Sequence, residues 1–490
     1  MPKDKDLLIV LGTGLFNLEH LEDRNFDVLM VEDQTLCRRM RFHKQKLAFL
    51  LAAMRNHRDA LTREGHTVHY FDLNTGISLT DAIDATVARV KPSRLRYFET
   101  DETASAKAIE AAIQRLALKA DMLPSPMFLM PTAELDCFFA NNPADLERFS
   151  AQRLHALDVG RTISAQDGAG AALRESAIPR NAHLPKPHCV VHTANASEVI
   201  DLVDTRFPRY PGRSEGLWLP TTRAGALDWL ERFLEQRLIG FESYGDAITK
   251  RSRTVHHSML SPLLNVGLIT PSEVIDRTLA FARRCAVPKA DLHSFLDQII
   301  GRREFIRGVY RRYGTSMRRR NAWDANRKLG KAWVNADTGI PPLDHALQGS
   351  IDWAWNHHTE RLTVIANMMN LAEIAPNDVY RFFMSHYIDA YDWVMVPNVY
   401  GMGLQSERGI FQSRLNLCRS EDLLRVSDFE PGPWCDVVDG LYWRFVYKHQ
   451  EALAANPAMA PIIEEAQQLP SERKQSLLCA ADGFLAAHTR

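Results

Sequence analysis

The chain has 490 residues, of which 59 are basic and 60 are acidic, and 46% of its residues are hydrophobic. This length allows several domains with sizeable cores, and the balanced charge gives no global sign of a nucleic-acid-binding protein. No hydrophobic run reaches the ~20 residues that a membrane helix needs, and the N-terminus lacks a signal-peptide pattern, so we expect a cytoplasmic protein without membrane association.

Cysteine usage argues against a disulfide framework. The seven cysteines form no C-x-x-C pair, and they stand at positions 37, 137, 189, 285, 418, 435 and 479. An odd number of widely spaced cysteines is typical of a protein with reduced thiols.

Short hydrophobic runs alternate with helical patterns in the first part of the chain. The predicted strands cover residues 6–12, 26–33, 66–73 and 94–100. The predicted helices cover residues 43–64, 81–90 and 103–119. This alternation predicts a Rossmann-like α/β domain with a parallel sheet over residues 1–140. Gly12-Thr13-Gly14 lacks the third glycine of a dinucleotide motif, so we interpret it as a tight strand-to-helix turn.

The rest of the chain divides into two stretches. Periodicity fades between residues 141 and 220, where proline and small residues cluster, and this stretch is predicted to be an interdomain linker. Residues 221–490 predict a large all-helical C-terminal domain, with helices over 223–239, 271–285, 289–312, 343–373, 378–395, 438–454 and 473–488.

The first motif that could carry chemistry runs from His257 to Asn265. Ser258 and Ser261 lie three residues apart, and Pro262 follows, which is typical of a loop that enters a helix. Hydroxyl groups and main-chain N–H groups at a helix start suit a phosphate, and simple N-capping is the alternative.

The second motif is basic and begins at Gly301. Arg303 and Arg307 lie on one face of a predicted helix, where they could hold a phosphate or simply be solvated, and Glu304 could pair with one of them. A basic run then follows at Arg311, Arg312, Arg318, Arg319 and Arg320. Such a run could contact DNA phosphates, and a solvated face is the alternative.

The third motif extends from residue 357 to residue 398. Arg361 and Asp389 fall in two predicted apolar helices, and since a buried charge needs a partner we expect them to pair. His357 and His358 precede Arg361 by about one turn, where either could be a proton donor or an ordinary core or surface residue. Their spacing does not match a zinc motif.

In combination, these motifs resemble the photolyase and cryptochrome superfamily. The resemblance is closest to the bacterial photolyase-related branch, which contains the iron–sulfur cryptochromes and the prokaryotic (6-4) photolyases. The stretches that carry it are HSMLSPLLNVGLITP, GRREFIRGVY, HHTERL, DAYDWVMVPNVYGM, LIVLGTGL and FHKQKLAFLLAAMR. It implies an antenna-type α/β domain followed by a helical FAD-binding domain.

The resemblance also implies roles for individual residues. Those expected to line the FAD phosphates and ribityl chain are Tyr244, His257, Ser258, Leu260, Ser261 and Asn265. Arg303 is expected to contact FAD, and Arg361 and Asp389 to pair beside the isoalloxazine ring. His358, with His357 beside it, is expected to face a flipped-out (6-4) lesion and donate a proton.

Several positions depart from the branch. Of its four cluster cysteines only Cys435 matches, because Pro342, Glu430 and Pro433 occupy the other positions, so we expect no 4Fe-4S cluster. The aromatic electron-transfer positions hold Val334 (next to Trp333), Phe382 and Phe383.

Departures also affect the flavin, lesion and antenna contacts. Met395 stands near the expected flavin N5, Arg302 replaces a tryptophan, and Asn416 replaces a substrate-contacting tyrosine. Thr13 replaces an aspartate of the antenna pocket, which argues against a lumazine-type antenna.

The sequence therefore predicts a monomeric, photolyase-like protein that binds FAD weakly and contacts DNA with UV photoproducts. Its repair chemistry is predicted to be reduced or lost. A functional light-dependent (6-4) DNA photolyase is one alternative, and a flavin blue-light sensor is the other.

Overall fold

The N-terminal part is built on a parallel sheet. The computed structural model describes residues 5–21, 23–157, 178–179, 181–182, 184–186, 188–407, 409–411, 415 and 417–490. Its strands are β1 Asp6–Ile9, β2 Phe26–Val31, β3 Val68–Phe71, β4 Arg94–Phe98 and β5 Lys119–Leu123. The strand order is β3-β2-β1-β4-β5, and all neighbouring strands are parallel. The predicted fold class is confirmed, and so are the four predicted strands.

Strand β5 was not predicted. It pairs with β4, with Phe98 opposite Leu123, and forms one edge of the sheet. Its sequence KADML contains two charged residues, and most of the strand is exposed or half-buried. Because edge strands need no continuous hydrophobic run, the hydrophobic pattern did not indicate this one.

Helices cover both faces of the sheet and form most of the remaining chain. The helices of the N-terminal part are Gln34–Arg38, Lys44–Arg63, Leu79–Val90, Thr103–Leu116 and Thr132–Asn141. The longer helices after residue 220 are Arg223–Gln236, Pro271–Arg284, Lys289–Asp297, Arg303–Met317, Pro341–Asp352, Pro376–His386, Trp434–Lys448, Ala460–Gln468 and Ser471–His488. None of the described helices is long and apolar enough to cross a membrane.

The described residues of the stretch predicted to be a linker include two helices. They are Leu146–Ala156 and Ala194–Arg206. The second is joined to helix Lys44–Arg63 by the ion pairs Arg55–Glu198 and Lys44–Asp204, each 2.7 Å long. The domain boundaries at 140 and 220 stay predictions.

Two predicted helices are divided, and both divisions concern the candidate site. The helix predicted over 343–373 ends at Asp352, and a π-helical segment, Glu360–Ala366, begins after a non-helical stretch. The helix predicted over 378–395 ends at His386 and resumes as Asp392–Val396. Both predictions of continuous helices are therefore wrong, and Asp389 lies between helices.

The two parts of the chain share a core and are tied by main-chain contacts. One cluster of buried hydrophobic side chains runs from one face of the sheet through the helical part, and a smaller one covers the other face. The buried carboxylate of Glu304 accepts hydrogen bonds from the N–H groups of Leu129 and Met130, at 2.8 and 3.3 Å. A buried carboxylate bound to two N–H groups is satisfied, so Glu304 is a structural residue.

Candidate functional site

Arg361 and Asp389 form the ion pair that the sequence predicts. The two Nη atoms of Arg361 donate to the two carboxylate oxygens of Asp389, at 2.9 and 3.2 Å. Arg361 Nε donates to the carbonyl of Asn356 at 2.8 Å, and the guanidinium lies 4.1 Å from the ring centre of Tyr387. Both side chains are largely buried, so this bidentate pair has a fixed geometry.

The predicted serine-containing loop converges on this pair. Ser261 Oγ donates to the Asp389 carboxylate at 2.7 Å, and Asn265 Nδ2 donates to the Asp389 carbonyl at 2.9 Å. The short helix Ser261–Asn265 has no side-chain cap, so the N-capping alternative is wrong for Ser261. Asp389 meets both residues because it lies in the break between two helices.

Arg303 extends the same network. Its Nη1 donates to Asn265 Oδ1 at 2.7 Å, and its guanidinium lies over the ring of Trp393, 4.8 Å from the centroid. Its Nη2 is buried and has no hydrogen-bond partner among the described residues. Burial lowers the pKa of Arg303 to about 10, which is the expected effect on a cation without a paired carboxylate.

Two stacked histidines form another part of the candidate site. The rings of His257 and His357 are 4.6 Å apart and nearly parallel, and His357 Nε2 lies 3.7 Å from Glu360. Burial, followed by the nearby charge of Arg361, lowers the pKa of His357 to about 3. Burial also places the pKa of His257 well below its ordinary value. Both rings are therefore neutral at pH 7.

The loop that carries His257 has an unusual backbone. Val255 and Met259 flank it with φ angles of 39° and 53°, which are rare for residues other than glycine. Trp229 Nε1 holds this loop by donating to the carbonyl of Ser258 at 3.0 Å. Backbone strain of this kind persists where the surroundings fix it, and it is common at ligand-binding sites.

The remaining phosphate-side residues lie outside the hydrogen-bond network. Leu260 is buried, and the ring of Tyr244 packs against His256 at 5.3 Å. In the described part of the chain, neither the Ser258 nor the Tyr244 side chain bonds to Arg361, Asp389, Asn265 or Arg303. Their predicted roles therefore stay predictions.

His358 contacts Arg302 and is not one of the two stacked histidines. Arg302 Nη1 lies 2.8 Å from His358 Nε2. His358 keeps an exposed surface, while nearby protein groups remove part of the water around its ring. This desolvation and the adjacent Arg302 charge place the pKa of His358 well below its ordinary value. Since arginine only donates, His358 Nε2 must be the acceptor.

Arg307 has a different role from either one considered from the sequence. It is 1% exposed, and it donates to Asp101 at 2.7 Å, to Thr132 Oγ1 at 2.7 Å and to the carbonyl of Met130 at 3.2 Å. The phosphate-binding and the solvated interpretations are therefore both wrong for Arg307, which joins the helical part to the sheet.

The basic run after Arg307 is partly paired within the protein. Arg311 bonds to Asp101 and to Asp136, at 3.0 and 2.8 Å. Arg318 lies 3.2 Å from Asp392, and Arg320 donates to the carbonyl of Glu407 at 2.7 Å. Among the described residues, carboxylates neutralise Arg311 and Arg318, which leaves less charge for DNA than the sequence suggests.

Two of the positions expected to carry electrons, Phe382 and Phe383, belong to a row of aromatic rings. Phe382 stacks on His386 at 4.1 Å, and Phe383 lies 5.3 Å from Tyr387, whose ring contacts Arg361. Sequence reasoning missed Tyr387, although its position two residues before Asp389 was a usable signal. The third position expected to carry electrons holds Val334. Its side chain is not aromatic, is 54% exposed and lies outside this row.

Other positions singled out from the sequence are distributed as follows. Met395 is buried, and its N–H donates to the carbonyl of Tyr391 at 2.8 Å. Asn416 lies outside the described residues. Cys435 is half-buried with a reduced thiol, and in the described part of the chain no group of three or more histidine, cysteine or acidic residues could hold a metal ion.

A cavity lies at the carboxyl ends of the strands, against the helical part. Its empty volume is about 860 Å³, including space open to solvent, and Thr13 lines it together with Lys46 and Glu102. Burial lowers the pKa of Lys46 to about 8 and raises that of Glu102 to about 7. Thr13 therefore lies at the cavity where the resemblance places an antenna.

Comparisons with known proteins agree with this architecture. A family model described as deoxyribodipyrimidine photo-lyase-related protein matches residues 8–152. The chain is 24% identical to a (6-4) photolyase of Agrobacterium fabrum, over 98% of this chain and 99% of that protein. An 89-residue stretch, 18% of this chain, is 40% identical to the uncharacterized protein R855 of Acanthamoeba polyphaga mimivirus and covers 72% of it.

Two solved structures share the fold. A bacterial class III photolyase from Agrobacterium tumefaciens matches with a TM-score of 0.58 and 17% identity, over 99% of this chain and 98% of that one. A cryptochrome from Synechocystis sp. PCC6803 matches with a TM-score of 0.62 and 13% identity, over 98% of each chain. The fold is thus that of photolyases and cryptochromes. The chain belongs to the photolyase/cryptochrome superfamily.

Proposed function

We propose that this protein is photolyase-like, that it binds FAD against Arg303 and the Arg361–Asp389 pair, and that its (6-4) repair chemistry is reduced or lost. The observation that carries the proposal is a group of buried nitrogen atoms without hydrogen-bond partners among the described residues. They are Arg302 Nε, Arg303 Nη2, His257 Nε2 and His357 Nδ1. Buried polar atoms are normally bonded, so these atoms favour a polar ligand.

The charges at the site fit FAD. Arg302 and Arg303 form no ion pair with the described carboxylates, whereas Arg361 is neutralised by Asp389. A diphosphate would supply the missing negative charge, and Arg303 with the His257–Asn265 loop would hold it. Arg361 would stay fixed by Asp389, Asn356 and the Tyr387 ring. The flavin, when bound, supplies light-driven electron transfer.

The contact between Arg302 and His358 is the reason for proposing reduced repair. A proton donor must carry a proton on the nitrogen that faces its substrate. In this protein His358 Nε2 accepts from Arg302 instead. His357 cannot replace it easily, because its lowered pKa keeps it neutral.

Binding of damaged DNA is proposed to be weak. Internal ion pairs occupy Arg311 and Arg318, and the flat tryptophan expected for lesion contact is replaced by Arg302. Base stacking on aromatic side chains contributes about 1–3 kcal/mol per base, which is lost at this position. Neither a 4Fe-4S cluster nor a lumazine-type antenna is part of the proposal.

The experiment is repair of an oligonucleotide containing a (6-4) photoproduct, under blue light with a reductant. The natural chain should repair slowly or not at all, and Arg302→Trp should increase the rate. Efficient repair by the natural chain, abolished in His358→Ala, would overturn the proposal in favour of an active photolyase. The intact Arg361–Asp389 pair is the observation that favours that second candidate.

A further inference from the structure

A second pocket, distinct from the candidate flavin site, opens among the helices. Four basic residues line it, Lys186, Lys250, Arg251 and Arg253, and Trp353 forms part of its wall. The pocket has an empty volume of about 620 Å³, including space open to solvent. Such a size admits a nucleotide unit.

The positive charge of this pocket is only partly compensated. Arg253 Nη1 donates to the carbonyl of His345 at 2.5 Å, and Arg251 Nη2 donates to the carbonyl of Pro179 at 2.9 Å. A carbonyl group orients the Arg253 guanidinium without cancelling its charge. Within the described ranges, Lys186, Lys250 and Arg253 have no carboxylate oxygen within 4.0 Å.

The buried residue Arg237 contacts the pocket wall and adds to its positive charge. Arg237 is 1% exposed and donates to the carbonyl groups of Lys186 and His257, at 2.7 and 3.4 Å. Its Nε is buried without a partner in the described structure. Burial lowers the pKa of Arg237 to about 10, in agreement with an uncompensated cation.

Two acidic groups near the pocket are already engaged, and a third, Asp352, precedes Trp353 in the chain and acts electrostatically on Arg253. Asp428 accepts from Thr249 Oγ1 at 2.6 Å and from the N–H of Lys250 at 3.1 Å. Glu360 accepts from Asn356 at 2.9 Å and lies 3.8 Å from His345. An anion that enters the pocket would therefore meet lysine and arginine side chains.

We propose that this pocket binds a nucleic-acid strand, with the basic residues holding a phosphate and Trp353 stacking on the neighbouring base. Phosphate and a planar ring are the two groups that a basic pocket with an indole wall recognises together. The pocket is linked to the candidate flavin site, because Glu360 lies between His345 and His357. The inference goes beyond the proposed function and needs no bound flavin.

The test uses the full chain in the dark with an undamaged, fluorescently labelled single-stranded oligodeoxynucleotide. Binding is followed by anisotropy for Lys186→Glu and Lys250→Glu, both at exposed positions. Each should weaken binding about tenfold and reduce the slope of log affinity against log salt by about one. Lys107→Glu, an exposed control outside the pocket with the same charge change, should have a much smaller effect.

Variants of Trp353 distinguish binding of a nucleic-acid strand from simple electrostatic attraction of anions. Trp353→Ala should weaken oligonucleotide binding about tenfold, and Trp353→Phe should retain most of it. Equal losses in the pocket variants and in Lys107→Glu would overturn the proposal. So would binding of an acidic peptide with the same dependence on all three pocket residues. The flavin spectrum of each variant shows whether the other site is intact, so failure of one proposal is distinguishable from failure of the other.

Discussion

Arg303 and Arg307 lie one turn apart on the same helix, and their surroundings differ in charge. Arg307 bonds to Asp101 and Thr132, with Glu99 3.3 Å away. Arg303 donates to the Asn265 side chain and to the carbonyl of Met127, at 2.7 and 3.5 Å, and its guanidinium lies over two aromatic rings. Both arginines lie deep in the protein, so burial alone does not distinguish them.

The comparison shows how a structural arginine differs from one that can hold a ligand. Every terminal nitrogen of Arg307 has a hydrogen-bond acceptor, and nearby carboxylates cancel its charge. Arg303 keeps a buried nitrogen without a partner among the described residues and a pKa lowered by burial. Uncompensated charge, and not position on the helix, therefore indicates the binding residue.

The largest expected effect is on Arg307. Arg307→Met removes the hydrogen bond to Thr132 and leaves Asp101, whose side chain is 4% exposed, with Arg311 as its remaining ion-pair partner among the described residues. Breaking a buried pair in this way should lower the free energy of unfolding by about 3–5 kcal/mol. Urea denaturation followed by circular dichroism measures it. A loss below about 1 kcal/mol, which is the contribution of an ordinary surface ion pair, would contradict the structural role.

The second expected effect is on Arg303. Arg303→Met leaves no carboxylate unpaired, so the free energy of unfolding without ligand should change by less than about 1.5 kcal/mol. Affinity for FAD should fall at least about tenfold, because a charged hydrogen bond to a phosphate contributes about 1.5–3 kcal/mol. Fluorescence titration with FAD checks the affinity, and unchanged affinity would remove Arg303 from the proposed site.

The third prediction concerns pH and the stacked histidines. The pKa of His357 is about 3 in the folded protein and near 6.5 when unfolded, so only the unfolded chain takes up this proton between these values. Stability should therefore fall as pH decreases from 6.5 towards 3, by about 1.4 kcal/mol per pH unit for this histidine, and level off above 6.5. In His357→Phe, which keeps the ring, the slope should be reduced. An identical slope in both proteins would show that His357 is not buried as described.

The fourth prediction has the smallest expected effect on the free energy of unfolding, but it bears directly on repair. Arg302→Met removes the neighbouring cation, so the pKa of His358 should rise towards its ordinary value, whereas Arg302→Lys should keep most of the depression. NMR titration of labelled histidines, assigned with His358→Gln, measures the shift. If the His358 pKa is equal in the natural chain and in Arg302→Met, their contact does not set its protonation state.

The fold and the central ion pair were predictable from the sequence for a clear reason. Strands β1 to β4 contain hydrophobic runs, and Arg361 and Asp389 are charges in apolar surroundings that need a partner. Strand β5 was missed because an edge strand can be polar. The break at residues 387–391 was missed because its residues are as apolar as the helices beside it.

Other features of the site depend on distances that no local pattern contains. Arg303 and Arg307 are both arginines on the same helix face. Only the fold brings Asp101 and Glu99 to Arg307. In the same way, the contact between Arg302 and His358 joins positions 56 residues apart. Tyr387 lies outside the aromatic positions that the resemblance marks, so the sequence did not predict its contact with Arg361.

The central claim is that the charge left uncompensated at Arg303 is matched by FAD. The most direct measurement is the absorption spectrum of the purified natural chain, before and after incubation with FAD and gel filtration, beside Arg303→Met and Arg307→Met. We expect the protein-bound flavin band in the natural chain and in whatever fraction of Arg307→Met is folded, and its loss in Arg303→Met. A natural chain that is folded and stays colourless after FAD addition would contradict the account.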